Sequence, residues 1–329
     1  MNKKPGVSPE NRSRIQAVIK KHNYVPSAIA RSLVTQRTHA IGVVMDSLCD
    51  SFFFNLISGM QNMADSLDYN IVFCSGSNDS KIKLKYIDYF AQGCVDGVIA
   101  FGSRSRELFY EIIRKAAHFV IIEGDVPGEV FNKVQVNNFL SAYRATAHLI
   151  ELGYRNIVHF TGDMEYNVSE ERLNGFKKAM GDASLPLENA VYYADFGEQA
   201  AYGIMKGLIL QDIVPEACFA GADKVAFGIL RALGEHGLSA PGDMALIGFD
   251  GDVPDLHDMV FPKLTTMRQP LFEMGEEAVR LLVRSIESPE AMPVTTIFDT
   301  EFVFGDTCPS CRRDKGRAVA CHPHGAQGT

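Results

Sequence analysis

The sequence predicts an α/β protein built as two doubly wound parallel-sheet lobes, with a short helical segment ahead of them. From Ala40 onward, short β-branched runs alternate with amphipathic segments of about 10–15 residues. The alternation breaks twice, at 132–138 and at 250–268, the second break containing Pro254 and Pro262. The composition permits a large core, since 46% of the 329 residues are hydrophobic and 22% are charged.

The elements follow in order. Ser8, Pro9 and Glu10 read as the N-cap and first turn of a helix through Lys21, with Ile15, Val18 and Ile19 on one face. After a turn at 23–26, a second short helix is expected over 27–34; neither helix has a core of its own. Strands are expected at 40–45, 70–74, 97–101, 119–123, 156–160, 190–193, 218–220 and 244–248, each a short apolar run bounded by turn-forming or polar residues. Helices are expected between them at 52–67, 80–92, 107–117, 139–152, 169–183, 199–210, 224–236 and 270–285. Parallel strands joined by right-handed crossovers make sheets covered by helices on both faces. Such units could close one barrel or form two open sheets. The two breaks fit more than one crossover between lobes and favour two sheets.

Charge is distributed unevenly. The net charge of −8 speaks against a chain that binds nucleic acid over its whole surface. Residues 1–39, however, hold eight Lys/Arg against one acid, Glu10, while the remainder holds 24 basic and 39 acidic residues. A basic head on an acidic body fits a head that meets a polyanion; a solvated basic helix fits equally well. No run approaches the ~18–20 apolar residues of a membrane helix, and no apolar leader follows Met1, so no membrane partner and a cytoplasmic location are expected. The seven cysteines read as reduced thiols.

Enzyme signatures are absent from the sequence. There is no Gly-x-Gly-x-x-Gly after a strand, no phosphate loop, no His-Glu-x-x-His and no Gly-x-Ser-x-Gly. The nine histidines lack metal-ligand spacing in the body, and His148 and His159 fall where packing is the ordinary role. No catalytic residue, metal or cofactor is expected. What stands out is the position of the acids. In open parallel sheets, ligands sit beyond the carboxyl ends of the strands. Asp46, Glu123, Asp163, Asp195, Asp223 and Asp250 each follow or close a strand, and would ring one crevice. Carboxylates accept from vicinal hydroxyls, an arginine such as Arg172 donates to the same oxygens, and the rings of Phe52 and Phe53 cover sugar C–H faces. The competing role for any one of these acids is to cap the helix that follows.

The segments 7–12 and 23–33 (Asn-Tyr-Val-Pro-Ser-Ala-Ile-Ala-Arg-Ser-Leu) resemble the third helix and hinge helix of the lactose/galactose repressor (LacI/GalR) family. The resemblance continues at 40–44, 94–99, 148–154, 171–176, 246–250 and 264–270, with order and spacing kept from about residue 7 to 307. It implies a transcription regulator, expected to be a repressor, with a two-lobed periplasmic-binding-protein-like core that dimerises, binds a small effector between its lobes and controls operator DNA. It implies effector contacts by Asp46, Phe52, Phe53, Glu123, Arg172, Phe196, Asp223 and Asp250. It implies DNA contacts by the hinge residues Tyr24, Ser27, Arg31 and Leu33, with Leu33 as the minor-groove wedge that kinks the duplex. A sugar or sugar derivative is the first expectation for the effector; a purine, another metabolite or a protein coregulator remain alternatives. A solute-binding protein of a transport system, or a core that has lost DNA binding, is the alternative to a regulator.

The expected organisation is a partial headpiece and hinge at 1–39, a core at 40–307 and a disordered tail at 308–329. Within the core, one lobe takes about 40–136 plus 268–295, and the other about 137–267 plus 296–307. The sequence departs from the family at several points. Counterparts of the first two helices of the helix-turn-helix are absent, so this chain is not expected to read an operator through the major groove. Ala222 stands where many members carry asparagine, Asn137 where an acid is common, and the final strand that the resemblance implies, at 302–306, lacks the usual arginine. In the tail, Cys308, Cys311, Cys321, His322 and His324 offer thiolates and imidazoles of the kind zinc takes, but without regular spacing, and disorder is the favoured reading.

Overall fold

A computed structural model describes residues 8–21, 32, 34–48, 50–76, 79–102, 106–251 and 262–310, with two short paired strands beyond them. The elements in chain order are α1 (Pro9–Lys21), β1 (Ala40–Met45), α2 (Phe52–Ser66), β2 (Asn70–Ser75), α3 (Ser80–Tyr89), β3 (Gly97–Phe101), α4 (Arg106–Lys115), β4 (Phe119–Ile122) and β5 (Asn132–Val136). The chain continues with α5 (Asn138–Glu151), β6 (Ile157–Thr161), α6 (Asn167–Asp182), β7 (Val191–Tyr193), α7 (Glu198–Ile209), β8 (Ala217–Ala220), α8 (Asp223–Glu235) and β9 (Ala245–Asp250). It closes with β10 (Thr265–Arg268), α9 (Leu271–Glu287), β11 (Thr295–Phe298), β12 (Glu301–Val303), β13 (Arg313–Asp314) and β14 (Arg317–Ala318).

The strands form two six-stranded sheets, ordered β11-β5-β4-β3-β1-β2 and β12-β10-β9-β8-β6-β7. Every neighbouring pair in both sheets is parallel except β10 with β12. The central strands are apolar along their whole length because helices cover both faces; β6, β8 and the first five residues of β9 are buried throughout. Strand order reverses between β1 and β3 in the first sheet and between β6 and β8 in the second. A crevice opens at such a switch point, beyond the carboxyl ends of the strands. The chain passes between lobes three times: from β5 to α5, from β10 to α9, which packs on α2, and from β11 to β12.

Several expectations need correction. β5, β10, β11 and β12 are strands that the alternation did not single out. They are short, and β11 and β12 are edge strands with half-exposed faces, so no continuous apolar run marks them. The lobe division expected between 295 and 296 cuts through β11, which pairs with β5 in the first sheet. The helix expected over 80–92 stops at Tyr89 and gives way to a π turn at Phe90–Cys94, with Gly93 at φ 84°. The tail does not begin at 308: Cys308 is buried and the Pro309 carbonyl accepts from His148 Nε2 at 2.9 Å, so the body runs on to that point. Cys311, Cys321, His322 and His324 lie outside the described residues.

At the other end, α1 ends at Lys21 as the sequence suggests, and the Ser8 hydroxyl accepts from the Asn11 amide. Tyr24, Ser27, Arg31 and Leu33 lie outside the described residues. The link into β1 is held by Asp96, whose carboxylate accepts from the Thr38 amide at 2.6 Å, the Thr38 hydroxyl at 2.8 Å and the His39 amide at 3.0 Å.

Candidate functional site

Between the lobes lies a cavity of about 300 Å³ into which the carboxyl ends of both sheets converge. All eight residues expected to touch an effector line it: Asp46, Phe52, Phe53, Glu123, Arg172, Phe196, Asp223 and Asp250. Asp195 lines it as well, whereas Asp163 closes a local turn by accepting from the Glu165 amide at 2.9 Å. None of these acids caps a helix. The N-caps of α5, α6, α7 and α8 are Asn137, Tyr166, Gly197 and Ala222, so the strand-end acids are left to face the crevice or its supports.

The second lobe's wall is organised around Arg172, which the first turns of α6 deliver to the cavity floor at 5% exposure. Its Nε donates to Asn138 at 2.9 Å and Nη1 to the Gly221 carbonyl at 2.6 Å; Nη1 also lies 3.6 Å from Asp250. The guanidinium rests 3.7 Å from the centre of the Phe249 ring. Burial pushes Arg172 down from its ordinary pKa, while Asp250, Glu123, Glu171 and Asp223 pull it back, so the guanidinium charge is shared among four carboxylates. Asp223 accepts from the Thr266 hydroxyl at 2.6 Å across Gly248, where a Cβ would stand 2.2 Å from the carboxylate. Phe196 lies over Gly162, where an added Cβ would stand 2.1 Å from a carbon of the ring.

Backbone conformation singles out the same positions. Glu123, Asp195, Phe196 and Asp250 all sit at positive φ, at 52°, 48°, 56° and 119°. For a residue with a Cβ this region costs on the order of 1 kcal/mol or more, and such strain gathers where a side chain must be aimed. Glu123 ends β4 in this way. Its oxygens accept from the Val136 amide at 2.7 Å and from Asn138 at 2.8 Å, and burial raises its pKa to about 7 despite those donors.

The first lobe's wall is aromatic. Phe53 and Phe101 meet edge-to-face at 5.0 Å, and Phe52 packs edge-on against both. Beside the rings, Asp46 is paired with Lys83 of α3, whose side chain is 3% exposed. Across the gap, the Tyr166 hydroxyl donates to Asp46 at 2.8 Å, Lys224 pairs with Asp50 at 2.5 Å and Asn167 donates to the Asp125 carbonyl at 3.3 Å. The lobes are thus closed on one another by polar contacts at the rim.

Sequence reasoning missed Lys83, Asn138, Tyr166, Lys224 and Gln269. Gln269 had a signal, since it follows β10 where the chain changes lobes. Lys83 had none: a lysine on an amphipathic helix reads as solvated. Ala222 lines the cavity and offers no side-chain cap to α8. His159 is fully buried between Phe176 and Phe219, at 5.3 and 4.8 Å, with Nδ1 on the Phe219 carbonyl. Burial lowers its pKa to about 4, and it plays no part at the cavity surface. Among the described residues no cluster of side chains suited to a metal ion occurs, and no helix is long and apolar enough to cross a membrane.

Comparison with known proteins places this architecture. Residues 146–308 match the model of a periplasmic binding protein-like domain. The HTH-type transcriptional repressor PurR of Escherichia coli O139:H28 is 32% identical over 302 residues, covering 89% of this chain and 88% of that one. The ribose operon repressor of Escherichia coli K12 is 30% identical over 293 residues, covering 88% of each. A solved complex of the transcriptional regulator CelR with cellobiose superposes with a TM-score of 0.76 at 25% identity over 92% of each chain. With this two-sheet core, a cleft at both switch points and relatives matched along most of its length, the chain belongs to the LacI/GalR family of transcriptional regulators.

Proposed function

We propose that this chain is the effector-sensing body of a transcriptional repressor. A small molecule, in the first instance a sugar or sugar derivative, binds between the lobes, and the change in lobe spacing alters how a homodimer holds operator DNA. The observation that carries this reading is the convergence of the eight expected residues, four from each lobe, on one cavity. A ring wall facing a carboxylate and guanidinium wall suits a ligand with C–H faces and a hydroxylated edge. The relatives named for ribose and cellobiose support the same class. In this reading Tyr24, Ser27, Arg31 and Leu33 form the DNA-contacting hinge, and the Thr38 and His39 bonds to Asp96 tie that hinge to the first sheet.

A ligand preferring one arrangement of the lobes shifts their equilibrium by its differential affinity, and that difference is what a dimer on DNA would register. The chain acts by binding; no residue is assigned a catalytic role. The test is a thermal-shift screen of the full chain against sugars, polyols and purines. A ligand at about 100 times its dissociation constant stabilises by about 2.7 kcal/mol. The expected result is a hit weakened by Asp250→Ala and Arg172→Ala. A hit that binds both variants as tightly as the native chain would move the effector site elsewhere.

A further inference from the structure

The electrostatics of the cleft narrow the class of effector, an inference that rests on the proposed effector reading. Six carboxyl groups line the cavity, those of Asp46, Asp50, Glu123, Asp195, Asp223 and Asp250, against two cations, Arg172 and Lys224; burial leaves Glu123 in part protonated near neutral pH, and the other five still outnumber the cations. Both cations are already engaged by the protein. Lys224 lies 2.5 Å from Asp50, and Arg172 donates to Asn138 and to the Gly221 carbonyl while facing Asp250. Lys83 offsets Asp46 from behind, outside the cavity lining. The excess of carboxylates remains after these pairs are formed, in walls of low dielectric where fields are poorly screened.

Hydrogen bonding points the same way. Gln269 lines the cavity at 4% exposure; its Nε2 donates to Asp250 at 2.8 Å, and its Oε1 is a buried acceptor with no donor. Carboxylates only accept, so the cavity offers more lone pairs than hydrogens. A buried acceptor left open is costly, and a ligand donor that reaches it recovers that cost. The rings of Phe52 and Phe196 line the same cavity, and Arg172 already lies over the Phe196 ring at 5.8 Å, a contact by which aromatic rings attract positive charge.

We infer that the effector carries no phosphate, carboxylate or other anionic group, and binds through hydrogen-bond donors of its own, hydroxyl or protonated amine, one of which meets Gln269 Oε1. An arginine on the floor of a ligand cleft ordinarily suggests an anion. Here the carboxylates around it cancel that attraction.

Matched pairs test this directly. Glucose, glucosamine and glucose 6-phosphate, ribose and ribose 5-phosphate, and adenosine and its monophosphate are titrated into the full chain by calorimetry. Each phosphate ester should bind at least about tenfold more weakly than its uncharged partner. The gap should narrow at high ionic strength and in Asp195→Asn, because screening and the lost charge both weaken the repulsion. Asparagine tolerates the left-handed backbone at this position, so the variant keeps the local conformation. A phosphate ester that binds as tightly as its partner, or more tightly, overturns the inference and leaves the effector cleft standing. Silence from every member at millimolar concentration overturns both together.

Discussion

The second lobe's wall of the cleft holds its polar groups in a closed network, whereas the first lobe's wall is a cluster of rings flanked by side chains that bond across the gap. On the second side Arg172, Asp223 and Gln269 are at most 5% exposed, and Phe196 and Asp250 sit on backbone that few L-residues adopt. On the first side Phe52 is half-buried, and Asp46 and Asp50 find part of their hydrogen bonding in Tyr166 and Lys224 of the other lobe. The difference implies a division of labour. The second lobe offers a fixed recognition surface; the first closes over it, and part of what holds it closed is the rim itself.

Removing the centre of the fixed network should have the largest effect. Arg172→Ala leaves Asp250 and Glu123 without their buried cation and is expected to cost about 3–5 kcal/mol of stability by denaturant unfolding. Phe52→Ala on the opposite wall should cost about 1 kcal/mol, since the ring is only half-buried, yet weaken ligand as much. Equal losses of stability from the two substitutions would break the comparison.

The rim comes next. Lys83→Met strands Asp46 and is expected to cost about 3 kcal/mol. Tyr166→Phe removes a hydrogen bond to a charged acceptor, about 1.5–3 kcal/mol at most, and its particular signature is a larger radius of gyration in small-angle scattering. A compact Tyr166→Phe variant, indistinguishable from the native chain, would show that the rim bonds do not hold the lobes together.

The pH profile sharpens the contrast between Glu123 and His159. Glu123 has its pKa raised to about 7, so its contribution to stability is fully present below the unfolded carboxyl value and is lost as pH rises through about 7. His159 has its pKa lowered to about 4, so its contribution is present above the unfolded imidazole value, near 6.5, and is lost as pH falls towards 4. The two slopes oppose each other between about 4.5 and 6.5. Melting temperature should therefore fall as pH rises from 6.5 to 8, and carbon-13 shifts should show His159 neutral down to about pH 4. A His159 midpoint near 6.5 would contradict the buried, neutral ring.

The smallest expected effect is a gain. Ala222 is the N-cap of α8 with extended backbone and no side-chain bond, so Ala222→Asn should stabilise by about 1 kcal/mol while adding a donor and acceptor to the cleft. A broader or altered ligand range in this variant would identify Ala222 as a selectivity position.

Much of this was legible in the sequence, for definite reasons. Two sheets followed from β-branched runs alternating with amphipathic helices, and the crevice followed from acids placed at strand ends, because parallel sheets expose those ends to one side. The crevice argument already drew in Phe52 and Phe53 as ring faces beside the acids, and the family resemblance added the ligand role of Phe196, which composition alone would assign to a core. The strand β12 was anticipated only through the final strand that the resemblance implied at 302–306, whereas β5, β10 and β11 were not legible, since short crossover and edge strands lack a continuous apolar run. Nor was Lys83, whose burial depends on where Asp46 ends β1. The position of Gln269 after β10 was a signal that it lies near the lobe junction, but its open acceptor is a tertiary feature that no local pattern encodes.

The measurement that bears most directly on a cleft closed by both lobes is amide hydrogen exchange of the full chain with and without a thermal-shift hit. Protection should rise at 50–56 in the first lobe and at 195–198 and 222–225 in the second, with little change on the far faces of either sheet. Protection confined to one lobe, or arising away from these segments, would contradict it.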